Sequence, residues 1–164
     1  MTQTMQDLKE AFAGESQANR KYLAFAQQAE KEGYPGVAKL FRAAAEAETV
    51  HAHAHLRAMQ GVNSTQENLQ EAVAGEIHEF KDMYPDMISH AQQEGHKQAE
   101  RSFRFANEVE KVHAELYQKA LDNLDQVQDR DYFVCTVCGY TAEDAAPDNC
   151  PVCGANSKAF KKVD

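Results

Sequence analysis

The sequence predicts a mainly α chain in which a four-helix bundle is followed by a small C-terminal module of turns and short strands. Three observations carry this. From Asp7 to about Asp125, apolar residues recur at intervals of three and four in a background rich in Ala, Glu, Gln, Lys and Leu, the spacing of one face of an α-helix. Breakers are few and fall between the periodic stretches. All four cysteines lie within the last thirty residues, as two Cys-x-x-Cys pairs.

The first helix, expected over residues 5–32, is marked by Leu8, Phe12, Leu23 and Phe25 and stopped by Gly33-Tyr34-Pro35-Gly36. The second, over 36–60, carries Val37, Leu40, Phe41 and Ala44 and runs into Gly61-Val62-Asn63-Ser64. The third, over 65–94, contains Pro85, whose missing N–H and bulky ring predict a kink. Gln93-Glu94-Gly95 separates it from the fourth, over 96–125. Beyond Asp125 the periodicity stops, and Gly, Pro, Asn, Asp and Cys take over. Two domains are expected, 1–128 and 129–164. A bundle of about 125 residues buries a real core, whereas a module of about 30 needs a metal or disulfides to fold.

A net charge of −9 argues against nucleic acid or an anionic membrane as partner. The N-terminal stretch Met1-Thr2-Gln3-Thr4-Met5-Gln6-Asp7 lacks the basic and apolar regions of a signal peptide, and no apolar run is long enough to span a bilayer. The expected location is the cytoplasm. In that reducing compartment, paired Cys-x-x-Cys motifs read as metal ligands and not as a disulfide framework.

The helical part is an internal repeat. Ala13-Gly14-Glu15 recurs as Ala74-Gly75-Glu76, Glu32-Gly33 as Glu94-Gly95, and Glu48-x-x-His51 as Glu110-x-x-His113, at an offset of 61 to 62 residues. Each Glu-x-x-His places a carboxylate and an imidazole one turn apart on a single helix face. A di-metal carboxylate bundle takes a Glu-x-x-His from each of two helices and a Glu from each of the other two. The single carboxylates here are Glu15 and Glu76. Residues equidistant from an antiparallel turn lie level with each other. The midpoint of Glu15 and Glu48 falls at Lys31–Glu32, and that of Glu76 and Glu110 at Gln93, both beside a turn. Small residues flank the candidates (Ala13-Gly14, Ala44-Ala45, Ala74-Gly75, Ala106), leaving room for an ion. Carboxylates facing a bundle core are costly without cations. Glu79 adds a further carboxylate to the second half, where the first has Ala18. His53 lies on a different helix face from His51 and reads as exposed, His55 lies one turn beyond His51 and either supports the site or is merely packed, and His78, His90 and His96 match no ligand position and read as surface or packing residues.

Ala13-Gly14-Glu15-Ser16-Gln17-Ala18, Ala74-Gly75-Glu76-x-x-Glu79 and Met83-Tyr84-Pro85 resemble the signatures of the rubrerythrins, and the resemblance extends over essentially the whole chain. It implies a ferritin-like four-helix bundle with a C-terminal rubredoxin-like metal-knuckle β domain. It also implies that Glu15, Glu48, Glu76, Glu79, Glu110 and His113 hold two non-haem irons, with His51 replacing Glu79 on one iron when the site is reduced. That exchange suits a harder ferric and a softer ferrous ion. Tyr22 and Tyr84 match family tyrosines that hydrogen-bond near the site.

In the C-terminal module, Cys135-Thr136-Val137-Cys138-Gly139-Tyr140 and Cys150-Pro151-Val152-Cys153-Gly154-Ala155 form two knuckles. Glycine after each second cysteine lets the backbone aim N–H groups at the sulfurs. Four thiolates in this spacing signal a metal without choosing iron over zinc. The Cys-Gly-Tyr and Cys-Pro-x-Cys-Gly-Ala runs, with Phe133 and Phe160 as core aromatics, are similar to rubredoxin, which implies one iron on Cys135, Cys138, Cys150 and Cys153.

Joined, the two sites imply a peroxidase that reduces hydrogen peroxide to water, refilled one electron at a time through the cysteine iron. The implied donor is a rubredoxin or an NAD(P)H-dependent flavoprotein reductase. Two other readings compete: a ferritin-like ferroxidase or iron store, and a metal-stabilised interaction protein carrying a zinc ribbon. The expected working unit is a homodimer, with two arrangements open. A ferritin-like bundle runs its second and third helices in parallel, and the few residues Gln60–Ser64 are too short for that crossover, which favours helix hairpins exchanged between chains. The midpoint of Glu48 and Glu76 is Val62, however, so an up-down-up-down bundle would align the ligands as well.

Overall fold

The computed structural model describes residues 1–163, which form two compact units, 1–63 and 64–163. The first is a helical hairpin of α1 (Gln3–Lys31) and α2 (Pro35–Ala58). Thr2 caps α1 by accepting the Met5 N–H, and Pro35 opens α2 where its missing N–H costs nothing. Alanines let the two helices close: Ala26, Ala29 and Ala38 are buried together, with Phe41 packed on them. Asn19 crosses the seam, donating through Nδ2 to the Ala45 carbonyl at 2.7 Å and to Thr49 Oγ1 at 2.8 Å.

The second unit begins with α3 (Thr65–His78), started by a capping box in which Ser64 and Glu67 satisfy each other's backbone N–H. The kink expected at Pro85 takes the form of a π turn, Glu79–Met83, between α3 and α4 (Tyr84–Gln93). Pro85 has no N–H, and its ring would collide with the carbonyl four residues back; the wider turn just before it absorbs both. The long helix α5 (Lys97–Asp122) then packs on α3, the π turn and α4. The two hairpin turns close alike, Tyr34 N–H to the Ala29 carbonyl and His96 N–H to the Ala91 carbonyl, each at 2.8 Å. The helical repeat in the sequence is thus a repeat of turn geometry.

After a short 3₁₀ turn (Leu124–Gln126), three strands form an antiparallel sheet: β1 (Tyr132–Cys135), β2 (Thr141–Glu143) and β3 (Phe160–Val163), in the order β2-β1-β3. Tyr140 meets Phe160 edge-on, with ring centroids 6.3 Å apart. Each knuckle turns at a glycine with positive φ, Gly139 at 89° and Gly154 at 75°, a conformation open to glycine at little cost. Their N–H groups return to the Cys135 and Cys150 carbonyls at 2.8 and 2.9 Å. Among the described residues, no helix is long and apolar enough to cross a membrane.

Candidate metal centres

Three groups of side chains converge. In the first unit, α1 supplies Glu15 and α2 supplies Glu48 and His51. In the second, α3 supplies Glu76 and α5 supplies Glu110 and His113. His51 Nδ1 lies 2.9 Å from Glu48 Oε2 and 3.9 Å from Glu15 Oε1. His113 Nδ1 lies 2.7 Å from Glu110 Oε2 and 3.9 Å from Glu76 Oε1. Two clusters 61 to 62 residues apart in sequence therefore share one geometry, with the same ring nitrogen facing the same two carboxylates.

The second cluster is electrostatically crowded. Burial, then Glu110 and Glu79, raise the Glu76 carboxyl to about 7. Burial and Glu110 likewise raise Glu79, which stands in the π turn outside the three-residue group. The Tyr84 hydroxyl is pushed up by burial and by the charges of Glu110, Glu79 and Glu76. Tyr117 is raised by burial, Glu76 and Glu110 in the same way. Such mutual repulsion is what a multivalent cation relieves. With oxygen and imidazole donors gathered within 4.8 Å of one another in each cluster, the side chains fit non-haem iron. The ring of Tyr22 packs with Phe25 and Phe41.

The third group is Cys135, Cys138, Cys150 and Cys153. All four thiols are unbridged, with Sγ–Sγ distances of 3.7 Å for Cys135–Cys153 and 3.5 Å for Cys138–Cys150. A tetrahedral metal with bonds of about 2.3 Å separates its sulfurs by about 3.8 Å, so the cage is close to ion-ready. Burial pushes the Cys138 thiol up. Burial acts in the same sense on Cys150, but the N–H groups of Cys153 and Val152 and the neighbouring Cys138 and Cys153 thiols together outweigh it and bring this thiol down to about 7.

Of the remaining histidines, His53, His78, His90 and His96 are exposed and His55 is half-buried. His96 caps α5 by accepting the Ala99 N–H at 3.2 Å. Sequence reasoning missed two neighbours of the second cluster. Tyr117 had a signal, since it follows His113 by one helical turn. Thr141, whose Oγ1 lies 3.1 Å from His113 Nε2, had none, because 28 residues separate the pair.

Comparison with known proteins gives these groups a common context. Residues 7–121 match the family model described as Rubrerythrin, and residues 133–161 match the one described as Rubrerythrin, rubredoxin-like domain. Rubrerythrin-2 of Clostridium acetobutylicum is 36% identical over 94% of this chain and 93% of its own length. Nigerythrin of Nitratidesulfovibrio vulgaris is 37% identical over 92% of this chain and 81% of its own. The solved structure titled "Fully reduced state of nigerythrin (all ferrous)" aligns with a TM-score of 0.61 at 34% identity, covering 99% of this chain and 88% of that one. The mixed-valence nigerythrin structure aligns with a TM-score of 0.60 at 35% identity, with the same coverage. Sequence repeat, matched clusters and cysteine cage converge on one assignment: the chain belongs to the rubrerythrin family of oxidoreductases, with a non-haem di-iron centre in its helical part and one iron on its rubredoxin-like cysteines.

Proposed function

We propose that the chain reduces hydrogen peroxide to water at a di-iron centre held by Glu15, Glu48, His51, Glu76, Glu79, Glu110 and His113. Electrons return through the iron of Cys135, Cys138, Cys150 and Cys153, on a module spanning 129–164. The observation that carries this reading is the pair of matched Glu–Glu–His clusters in a chain that also has a four-cysteine cage. When bound, the irons supply the two electrons and the Lewis acidity for O–O cleavage, and the cysteine iron restores electrons singly. One peroxide becoming two waters also consumes two protons. The raised Tyr84 hydroxyl stays protonated through the physiological range and serves as a hydrogen-bond donor to the site. Glu79 and His51 act as alternative ligands, the carboxylate for the ferric and the imidazole for the ferrous state.

The donor is a rubredoxin or an NAD(P)H-dependent flavoprotein reductase, and the reaction belongs to the cytoplasm, where four unbridged thiols persist. The working unit is a homodimer with exchanged hairpins, so that Glu15, Glu48 and His51 of one protomer serve with Glu76, Glu79, Glu110 and His113 of its partner. Its support is the connector. The family's parallel second and third helices need a crossover of about 31 Å, from the end of α2 to the start of α3, to bring Glu48 level with Glu76. The residues 59–64 reach about 20 Å when extended.

Metal analysis, a visible spectrum and anaerobic peroxide titration test the function together. The expected result is three irons per chain, an iron–thiolate spectrum, and one peroxide consumed per reduced iron pair. Iron accumulating beyond three per chain under oxygen would assign storage instead, and a colourless protein with zinc on its cysteines would assign an interaction module.

A further inference from the structure

β2 and the residues leading into it run along α5 of the same chain. A cleft next to Cys138 is lined by Arg101, Ser102, Phe105 and Ala106 of α5 and by Val137. Further along, a Cβ built on Gly139 would stand 3.7 Å from Val109 Cγ1. Next, Thr141 Oγ1 meets His113 Nε2 at 3.1 Å. Last, Lys119 Nζ meets Glu143 Oε2 at 2.6 Å. Thr141 and Glu143 share one side of β2, and Val109 and His113 are one helical turn apart on α5. From residue 137 to 143 the contacts move one way along α5, from Ala106 through Val109 and His113 to Lys119, so strand and helix run in the same direction. The Thr141–His113 contact is therefore one rung of an ordered docking surface.

We propose that Thr141 is a positioning residue for the carboxylate metal site. Its Oγ1 accepts the His113 Nε2–H and its own O–H donates to the Gly139 carbonyl, 3.3 Å away. With Nε2 carrying the proton, the Nδ1 lone pair is left for the metal, on the side where Glu110 and Glu76 stand. A metal-bound histidine is oriented by the partner of its other nitrogen, and losing that partner weakens metal binding. What is unusual here is the source of the partner. It comes from the cysteine module, two residues past Gly139, which itself follows Cys138. One hydroxyl thus joins a ligand of one centre to the backbone of the other within a single chain. Folding of the module then supports the affinity of the carboxylate site. The inference rests on the metal ligands named above but not on peroxide as the oxidant.

The test uses the full-length chain with zinc filling its cysteines, titrated with further Zn²⁺ for the carboxylate site, and proton–nitrogen NMR of its histidines. Thr141→Val keeps shape and strand propensity but removes the hydroxyl; Thr141→Ser restores it. Carboxylate-site affinity should fall about 10- to 100-fold in Thr141→Val and recover to within about threefold in Thr141→Ser. A slowly exchanging Nε2–H signal should be present with threonine and serine and lost with valine. Affinity within twofold of wild type in Thr141→Val, with the Nε2–H signal retained, overturns the proposal. If Thr141→Val fails to load its cysteines, Thr141→Ala takes its place. Failure of both to load overturns the positioning role in favour of a purely structural one.

Discussion

Stripped of metal, the second cluster should make this protein less stable at neutral pH than in mild acid, the reverse of ordinary acid denaturation. Glu76 carries the effect, because its carboxyl sits at about 7 in the folded chain against an ordinary value of 4.5. A folded state that holds a proton more tightly than the unfolded chain gains stability below the unfolded value and loses it as pH rises through the folded one. Taken whole, that displacement corresponds to about 3.4 kcal/mol. The Glu76 side chain is 19% exposed, and water screens part of the repulsion from Glu110 and Glu79, so about 1–2 kcal/mol is the reasonable expectation. Urea unfolding of chelator-treated protein, followed by helical circular dichroism at pH 5 and pH 8, measures it. The metal-free protein should be the weaker at pH 8, Glu76→Gln should flatten that difference, and ferrous iron or zinc should reverse it. An equal slope in wild type and Glu76→Gln would refute the assignment of the effect to Glu76.

Cys138→Ser should abolish the iron–thiolate spectrum and donor-driven turnover, while a chemically reduced di-iron site still reacts once with peroxide; survival of full turnover sinks the relay. Glu79→Ala should leave two irons bound when reduced but impair the oxidised state, and identical ligand sets in structures of both states would rule out the Glu79–His51 exchange. Glu48→Ala and Glu110→Ala chains, each inactive alone, should regain activity when unfolded and refolded together, because an exchanged heterodimer has one intact site; persistent inactivity with heterodimers present excludes exchange.

What the sequence made legible was local and repeated. The positions of Glu15, Glu48 and His51 follow from helix periodicity and one turn, and the same arithmetic brings Glu76, Glu110 and His113 together; the structure gathers each set at nearly equal distances. The cysteine cage was legible because glycine at 139 and 154 dictates how each knuckle turns. What stayed hidden depends on choices the pattern leaves open. Pro85 announced a disturbance but not its form, since a kink, a break and a π turn all satisfy a missing N–H; the π turn sets Glu79 apart from the Glu76 group. The pairing of Thr141 with His113 needs the module docked on α5, which periodicity does not determine.

The metal and the fold are coupled most tightly where the core is thinnest. The fully buried side chains of the first unit are alanines, while Leu40 and Val50 are 68% and 65% exposed. Alanine closes helices together but removes little apolar surface from water compared with leucine or phenylalanine. A hairpin of this kind draws only a modest stability from its own interior, and a small unit so built needs further cross-links. In each half of the repeat, two helices contribute carboxylates and an imidazole set beside them, and in the second half the carboxylates repel one another. A bound cation replaces that repulsion with bonds to both helices at once, so its affinity includes the cost of holding the acids together without it. The residues that prepare the site for iron are therefore the same ones that weaken the metal-free chain, and emptying the carboxylate site while the cysteines keep their metal should loosen the helical repeat and leave the cysteine module's strands in place.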